Sequence, residues 1–418
     1  MRSAVVVGAG VGGLATAGAL ARTGWQVTLL ERAERLRADG AGLLLWPNGV
    51  RAMRALDLAG GIDAIATAVP YGGIRRPDGT PIVARAGAAA LGGATEGRVG
   101  RVQPEAGGAH VTPLVVHSED LHDQLIAGLA DGIDIRNGIT VRTIRATPDH
   151  RPAVSDGRHT WEADLVVGAD GAHSTVRARV ARQVSVVSAG CAAWRAVIPW
   201  YRAPVLSAAL AAGGETIGSG YRFQFAVLGE RGSAGGSSRG GIYWVATALG
   251  APRPEPAAMQ LTLLRRWYSD WHPPIGDLLA ATEPGDLVQH AVQELRPAPR
   301  SYGFPAGPGG VVLLGDAAHV LPDHLGQGPS LAFEDAATLR SVMLDAIPGG
   351  SLRDALDAYS RARLPRAEKL ARQSRRVGTV LQARGRFTQR ARDAALGAFS
   401  PRLLDKTAAE AAAWSPPH

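Results

Sequence analysis

Apolar positions divide this chain into two regimes. In the first, short unbroken apolar runs alternate with helical stretches. Ser3–Val7 (SAVVV) reads as a buried strand, 14–22 as a small-residue helix stopped by Gly24, and Gln26–Leu30 (QVTLL) as a second strand ending at Glu31. Together they form a βαβ unit. The pattern continues with a loop and strand over 40–48, a helix over 50–58 and a short strand over 114–117. An amphipathic helix follows over 118–130, with Ser118 as its N-cap. Residues 164–177 (DLVVGADGAHSTVR) read as strand, turn and helix.

In the second regime, from about 189 to 250, helices drop out. WRAVIPW, ETIGSGYRFQFAVL and GIYWVATAL predict antiparallel strands, the last two joined by a Gly/Ser-rich loop over 229–241. A helix over 256–271 and a strand near 286–295 lead back to the first pattern. Val311 to Leu314 then reads as a buried strand that Gly315-Asp316 ends. Gly326-Gln327-Gly328-Pro329-Ser330 opens a helix, with proline where a first turn tolerates it. Residues 351–399 predict a long helical region broken or kinked near Pro365. Residues 85–110, alanine- and glycine-rich with little periodicity, predict a mobile surface loop or insertion. The sequence shows no internal repeat.

Composition narrows the class. A chain of 418 residues accommodates two to three domains, or one large domain with an insertion. With 46% hydrophobic and 20% charged residues it reads as an ordinary globular protein. The formal charge is +8, carried almost wholly by arginine, since Lys369 and Lys406 are the only lysines. Nucleic acid is not the expected partner: the densest basic run, 361–392, contains Phe387 as its only aromatic and reads as a solvated helix face. A positive field suits an anionic dinucleotide better. The single cysteine, Cys191, excludes a disulfide framework and reads as a core thiol. Met1-Arg2 and the apolar run behind it imitate a secretory signal, but glycines at 8, 10, 12 and 13 break such a helix. No stretch has the length of a membrane span, and a cytoplasmic protein is expected.

Candidate chemistry lies in three turns. Gly8, Gly10 and Gly13 form G-x-G-x-x-G between strand and helix, with Glu31 eighteen residues after the last glycine. Gly8 makes the tight turn, Gly10 lets backbone approach a pyrophosphate, and Gly13 lets helix and strand pack closely. Glu31 then accepts from adenosine ribose hydroxyls. Asp170-Gly171 is a second carboxylate-glycine turn, and Gly315-Asp316 a third, ahead of the glycine-rich helix start. A strand, a carboxylate and such a helix start make a site for a polyhydroxylated, partly anionic ligand. Gly236 to Gly240 fits the G-x-S-x-G of serine hydrolases, but in a polar hairpin loop rather than at a strand-to-helix elbow. Asp316, His319, Asp323 and His324 read as ligand-binding turns rather than metal ligands, and no metal is expected.

In this order and spacing the three turns resemble the FAD-dependent aromatic hydroxylases, the single-component flavoprotein monooxygenases of the p-hydroxybenzoate hydroxylase fold. The resemblance covers most of the chain. It implies an α/β fold: a Rossmann-like FAD-binding domain (1–70, 101–180 and 286–345), an inserted antiparallel-sheet substrate domain (71–100 and 181–285) and C-terminal helices (346–418). It implies that the first motif binds the ADP half of FAD and that Gly315 and Asp316 hold the ribityl chain. The helix start at Gly326, Gln327, Gly328, Pro329 and Ser330 would then face the isoalloxazine, while Asp170 and Gly171 serve FAD and the nicotinamide cofactor. Arg32 and Pro322 join the cofactor-binding set. NADPH or NADH visits without a dinucleotide domain of its own, and O₂ reacts through a flavin C4a-hydroperoxide to oxygenate an aromatic or polyketide-like small molecule. Arg195, Tyr221, Phe223, Phe225 and Tyr243 are the candidate substrate-binding residues.

Two departures stand out. Where the family has an arginine in R-x-D-L, this chain has Ser118-Glu119-Asp120-Leu121, leaving Arg101 or Arg32 to compensate. Where the family often has proline before G-Q-G, this chain has Asp323, which acts as a base on a phenol or points to solvent. A halogenase is excluded by the missing second tryptophan in Trp194 to Pro199 and by the absence of lysine before Lys369. The competing readings are an FAD-dependent reductase or dehydrogenase of a lipophilic small molecule, a nicotinamide-only dehydrogenase and a non-enzymatic flavin module. Substrate identity and oligomeric state are not legible.

Overall fold

A computed structural model describes residues 2–38, 40–69, 73–83, 112–207, 210, 213–229, 239–345, 351–398 and 401–417. The loop expected at 85–110, Arg101 and most of the 229–241 loop lie outside these residues. The buried apolar runs form one six-stranded sheet, ordered Gly303–Ala306, Gly309–Leu313, Leu165–Gly168, Ser3–Val7, Gln26–Leu30 and Asp134–Arg136. All pairs are parallel except the hairpin between the first two. Helices cover the faces, so Val5, Val6, Val166, Val167, Val311 and Val312 are buried, as unbroken valine runs require.

The helices Val11–Arg22 and Gly328–Asp345 pack closely over this sheet. A Cβ on Gly12 would stand 2.8 Å from Leu314 and 3.2 Å from Ala332, so only glycine permits that approach. The helix Leu352–Leu381 covers the hairpin end, where a Cβ on Gly310 would meet Leu356 at 2.2 Å. It continues through Pro365, and the break expected there falls instead at 382–385, before Arg386–Ala398.

A seven-stranded sheet runs Val288–Arg296, Ser185–Pro199, Gly241–Leu249, Tyr221–Leu228, Gly214–Ile217, Ile74–Arg75 and Pro81–Val83. It is antiparallel except where Ile74–Arg75 joins Gly214–Ile217. Val288–Arg296, expected with the cofactor-binding segment, pairs along Ser185–Pro199 and so belongs to this sheet. One face packs Trp194, Ile198, Phe223, Phe225, Ile242 and Trp244 against the helices Ala257–Trp267 and Ile275–Ala281. The other turns toward the first sheet, with Val197, Ala226, Leu228 and Tyr243 packed on Val115.

Ser118 is not the cap of its helix. His117 is: its Nδ1 accepts from the Glu119 N–H at 3.3 Å, while Ser118 Oγ accepts from the Ala41 N–H at 3.1 Å. Cys191 is buried, its Sγ accepts from Gln382 Nε2 at 3.2 Å, and burial pushes the thiol up to about 12. Among the described residues, no helix is long and apolar enough to cross a membrane, and no group of side chains is arranged to hold a metal ion.

Candidate active site

The three turns singled out in the sequence close the carboxyl ends of three adjacent parallel strands, Ser3–Val7, Leu165–Gly168 and Gly309–Leu313. Such strand ends form the ligand crevice of open α/β sheets. Gly8 has φ +101°, and a Cβ there would stand 2.4 Å from the Ala169 carbonyl, so the first two turns touch. A Cβ on Gly13 would lie 1.9 Å from the Gly8 carbonyl, whereas one on Gly10 would meet nothing within 4 Å. Gly13 is therefore required by packing, while Gly10 faces open space at a helix N-terminus. Glu31 braces this turn: its two oxygens accept from the Ala9 N–H at 2.8 Å and the Ala33 N–H at 2.9 Å. Arg32 is exposed.

Asp170 and Asp316 differ. Asp170 accepts from Ser174 Oγ at 2.5 Å, the Thr175 N–H at 2.7 Å and the Val176 N–H at 3.2 Å, bracing the first turn of the helix Thr175–Val180 and its N-cap Ser174. The next residue, Gly171, has φ +79° and open space around its Cβ position. Asp316 is exposed between buried neighbours, and among the described residues nothing donates to its carboxylate. Gly315, at φ 55° and ψ −142°, holds a conformation that only glycine adopts readily. Buried Arg177 ties the two turns together, donating to the carbonyls of Ala172, Asp316 and Ala317.

Behind Asp316 lies a buried ionic network that the sequence did not announce. Asp335 accepts from the Gly315 N–H at 2.8 Å, His319 Nε2 at 2.6 Å and Arg363 Nε at 2.6 Å. Its neighbour Glu334 accepts from Asn48, Arg363 and Arg366. Burial alone would raise the Asp335 carboxyl, but His319 and Arg363 bring it below its ordinary value. The helix start rests on this network. Gln327 is fully buried and accepts from Asn48 Nδ2 at 3.0 Å, and Ser330 Oγ accepts from the Trp46 N–H at 3.0 Å. Those side chains point into the protein, Pro329 is half-buried, and Gly328 borders open space. Gly326, with φ +60°, packs on Leu44. Pro322 is buried, and its carbonyl accepts from Ser374 Oγ at 2.5 Å.

Strand register decides which predicted substrate residues face this edge. Arg195 lies opposite Val245 and Val288, and Tyr243 opposite Val197 and Ala226, on the face turned to the first sheet. Burial raises the Asp316 carboxyl above its ordinary value, against the opposing charges of His319, Arg177, His290 and Arg195. Tyr243 packs its ring where a Cβ on Gly42 would stand, 2.5 Å away, and so seals the joint between the sheets. Phe223 and Phe225 point the other way, Phe223 stacking on Trp244 at 5.3 Å, and Tyr221 leans on Trp267 and Tyr268. They are core residues of the far face, as a two-residue strand period dictates. The expectation that all five line one pocket is corrected on that ground. The period itself was legible in YRFQF, whose Arg222 and Gln224 take the near face.

Asp323 does not point to solvent alone. Its Oδ2 lies 3.0 Å from His290 Nε2, a partner 33 residues away in sequence that no local signal announced. Burial would raise the Asp323 carboxyl, but the His290 hydrogen bond and charge, with His324 and Arg222, bring it below its ordinary value. At the Ser118 position, Arg239, just ahead of the strand Gly241–Leu249, reaches to Glu119, Asp120 and Asp123. A cleft of about 440 Å³ opens there, lined by His117, Glu119, Arg239 and Asp286 among others, but by neither Asp316 nor Asp323.

The chain matches the family described as FAD binding domain over residues 1–204 and 305–374. It is 30% identical to the aurachin C monooxygenase/isomerase of Stigmatella aurantiaca over 92% of this chain and 90% of that one. It is 32% identical to the 3-amino-4-hydroxybenzoate 2-monooxygenase of Streptomyces cremeus, over 89% and 86%. It belongs to the FAD-dependent aromatic hydroxylases. The crystal structure of a point variant of Klebsiella pneumoniae HpxO with FAD superposes with a TM-score of 0.78 at 22% identity, over 99% of this chain and 98% of that one, and has the same fold. The protein is therefore a flavin-dependent monooxygenase that uses FAD, O₂ and a reduced nicotinamide, and the relatives support this reading over the dehydrogenase alternative.

The residues of this monooxygenase fit its cofactor. The space at Gly10 sits where backbone would approach a pyrophosphate, and the Asp316 carboxylate is uncommitted on the crevice floor. Buried Gln327 Nε2, at the helix start, has no hydrogen-bond partner among the described residues.

Proposed function

We propose that this monooxygenase hydroxylates an aromatic small molecule held between the helix start at Gly328 and the near face of the seven-stranded sheet. The carrying observation is that Arg195 and His290 stand on the near face of the seven-stranded sheet, with His290 reaching Asp323 ahead of the helix start at 3.0 Å. In this reading the turn at Gly8, Gly10 and Gly13 holds the FAD pyrophosphate on helix N–H groups. Glu31 keeps lone pairs for the adenosine ribose, and Asp316 accepts from ribityl hydroxyls. The first turn of the helix Gly328–Asp345 offers its N–H groups to negative charge on the isoalloxazine. Bound FAD supplies the chemistry that activates O₂ with electrons from NADH or NADPH.

The chain's own part is positioning and electrostatics. Gly315 and Asp335 fix where Asp316 stands, Asn48 and Trp46 fix the helix start, and Arg195 brings a cation toward the substrate. Asp170 acts by holding its turn, with Arg177 coupling it to Asp316. The domain division follows the two sheets, the strand at Val288–Arg296 going with the substrate sheet. The helices Leu352–Leu381, Arg386–Ala398 and Pro401–Ala412 make up the C-terminal part, and the protein works in the cytoplasm.

The test is a screen of phenols and fused heteroaromatics for stimulated NAD(P)H oxidation by the flavin-loaded protein, with product masses. A product heavier by one oxygen supports hydroxylation of an aromatic. Stimulated NAD(P)H oxidation that reduces the substrate without oxygen uptake would instead make the protein a reductase.

A further inference from the structure

We infer that Gln224 is a substrate-recognition residue: with Arg195 it holds a flat heteroaromatic ring by two edges, and the edge it takes is a lactam, an N–H beside a C=O. This rests on the oxygenase site proposed above and deepens it. The basis is one row of side chains running across the near face of the seven-stranded sheet. Val288, Arg195, Val245 and Gln224 stand side by side on four adjacent strands, and each keeps part of its surface exposed. The rows on either side are closed. On one, Val197, Tyr243 and Ala226 are buried against Val115. On the other, Ala193, Thr247 and Arg222 are buried, and His290 reaches Asp323 at 3.0 Å. The open row is therefore a furrow between two packed ones, on the face turned toward the first sheet.

Polar and apolar groups alternate along the furrow, and that order decides what fits. Val245 offers an apolar floor for the face of a ring. Arg195 stands on one side of it and Gln224 on the other, two strand spacings or about 10 Å apart. An aromatic ring with a hydrogen bond at each edge fills such a gap. Gln224 makes no hydrogen bond among the described residues, and both polar atoms of its amide keep accessible surface. Its strand neighbour Arg222 is buried and paired with Glu215 at 2.7 Å, so Gln224 is the group this strand offers to a ligand. The ring stays over Val245, because the adjoining cavity, lined by Arg222, Thr247 and His324 among others, measures about 10 Å³, room for one water.

A side-chain amide carries an acceptor oxygen and N–H donors side by side, so its best partner carries a donor and an acceptor in the same spacing. A lactam edge does this and makes two parallel bonds. A lactone keeps only the acceptor. Arg195, a cation on the opposite side, takes a ring oxygen. The two ends differ in kind, so they fix which way round the ring lies and hence which ring carbon is turned to the flavin. Gln224 acts on binding and orientation and takes no part in the bond changes, which makes it a specificity-determining residue.

The FAD-loaded protein is titrated with 2-quinolone, coumarin and 4-hydroxy-2-quinolone, following the flavin absorbance. 2-Quinolone and coumarin share one shape, the N–H of the first being a ring oxygen in the second. 2-Quinolone is expected to bind about fivefold tighter, the worth of one neutral hydrogen bond. The 4-oxygen should add about tenfold through the charge on Arg195. Gln224→Met, close in size, retains FAD, brings 2-quinolone and coumarin together and keeps the gain from the 4-oxygen. Arg195→Met does the reverse. A purely structural role would weaken all three ligands alike in either variant, and that result overturns the assignment. So does equal binding of 2-quinolone and coumarin by the unaltered protein, a preference that survives Gln224→Met, or a flavin spectrum that none of the three perturbs. A protein that takes up no flavin overturns the underlying oxygenase site instead, and is told apart by its lack of colour.

Discussion

Asp170 and Asp316 close two turns of the same make, each a glycine beside an aspartate at the end of a buried parallel strand, in neighbouring positions of one sheet. One carboxylate is committed to its own helix through Ser174, Thr175 and Val176. The other carries no such bond and stands exposed on the crevice floor, while the backbone beneath it is gripped by Asp335. A glycine-aspartate turn thus marks a strand end, and what lies behind the turn decides whether its acid supports structure or meets a ligand. Behind Asp170 is the start of a six-residue helix that needs a cap. Behind Asp316 is a buried network that already satisfies the turn.

The largest effect should come from removing that network. Arg363 is buried and holds both Glu334 and Asp335. Arg363→Met takes one cationic partner from each of two buried carboxylates, and urea unfolding should show a loss of about 3–5 kcal/mol. A loss below about 1 kcal/mol would mean the network is not what holds the Asp316 turn.

Next is the ligand side of the comparison. Asp316→Ala should leave the thermal midpoint of the apoprotein nearly unchanged and weaken FAD binding by about ten- to a hundredfold, read from flavin fluorescence on titration. Gly10→Ala should behave alike, since its Cβ meets no protein atom and would stand where the proposed pyrophosphate approaches. If either variant destabilised the apoprotein as much as it weakened FAD, the split between ligand and scaffold would fail.

Asp170→Ala should do the reverse, costing about 1–2 kcal/mol through the hydrogen bonds lost to Ser174, Thr175 and Val176, with FAD affinity per folded molecule changed less than in Asp316→Ala. Chemical denaturation and flavin titration on the same preparation separate the two effects.

The smallest effect is in pH. The Asp335 carboxyl lies below its ordinary value in the folded protein, so the unfolded chain takes up its proton first as pH falls. Its contribution is present above about pH 4, the ordinary carboxylate value, and is lost as pH falls through the folded value. Stability measured downward from pH 5 should therefore decline less steeply in Asp335→Asn than in the unaltered protein.

Much of this was written along the chain. Unbroken valine runs require strands covered on both faces, and the glycines at 8, 13 and 315 sit where a Cβ would strike backbone or an unusual backbone angle is needed. Those constraints are local, so the βαβ unit, the three turns and the family followed from sequence order and spacing. Tertiary structure decided the rest, because each remaining assignment depends on what comes from far along the chain. Pairing register turned Phe223 and Phe225 to the far core and Arg195 to the crevice. A strand 33 residues upstream gave Asp323 its histidine, and helix residues some fifty positions beyond Gly315 completed the network under it. A carboxylate's chemistry is set by the groups within a few ångströms of it, and only the fold brings those groups together.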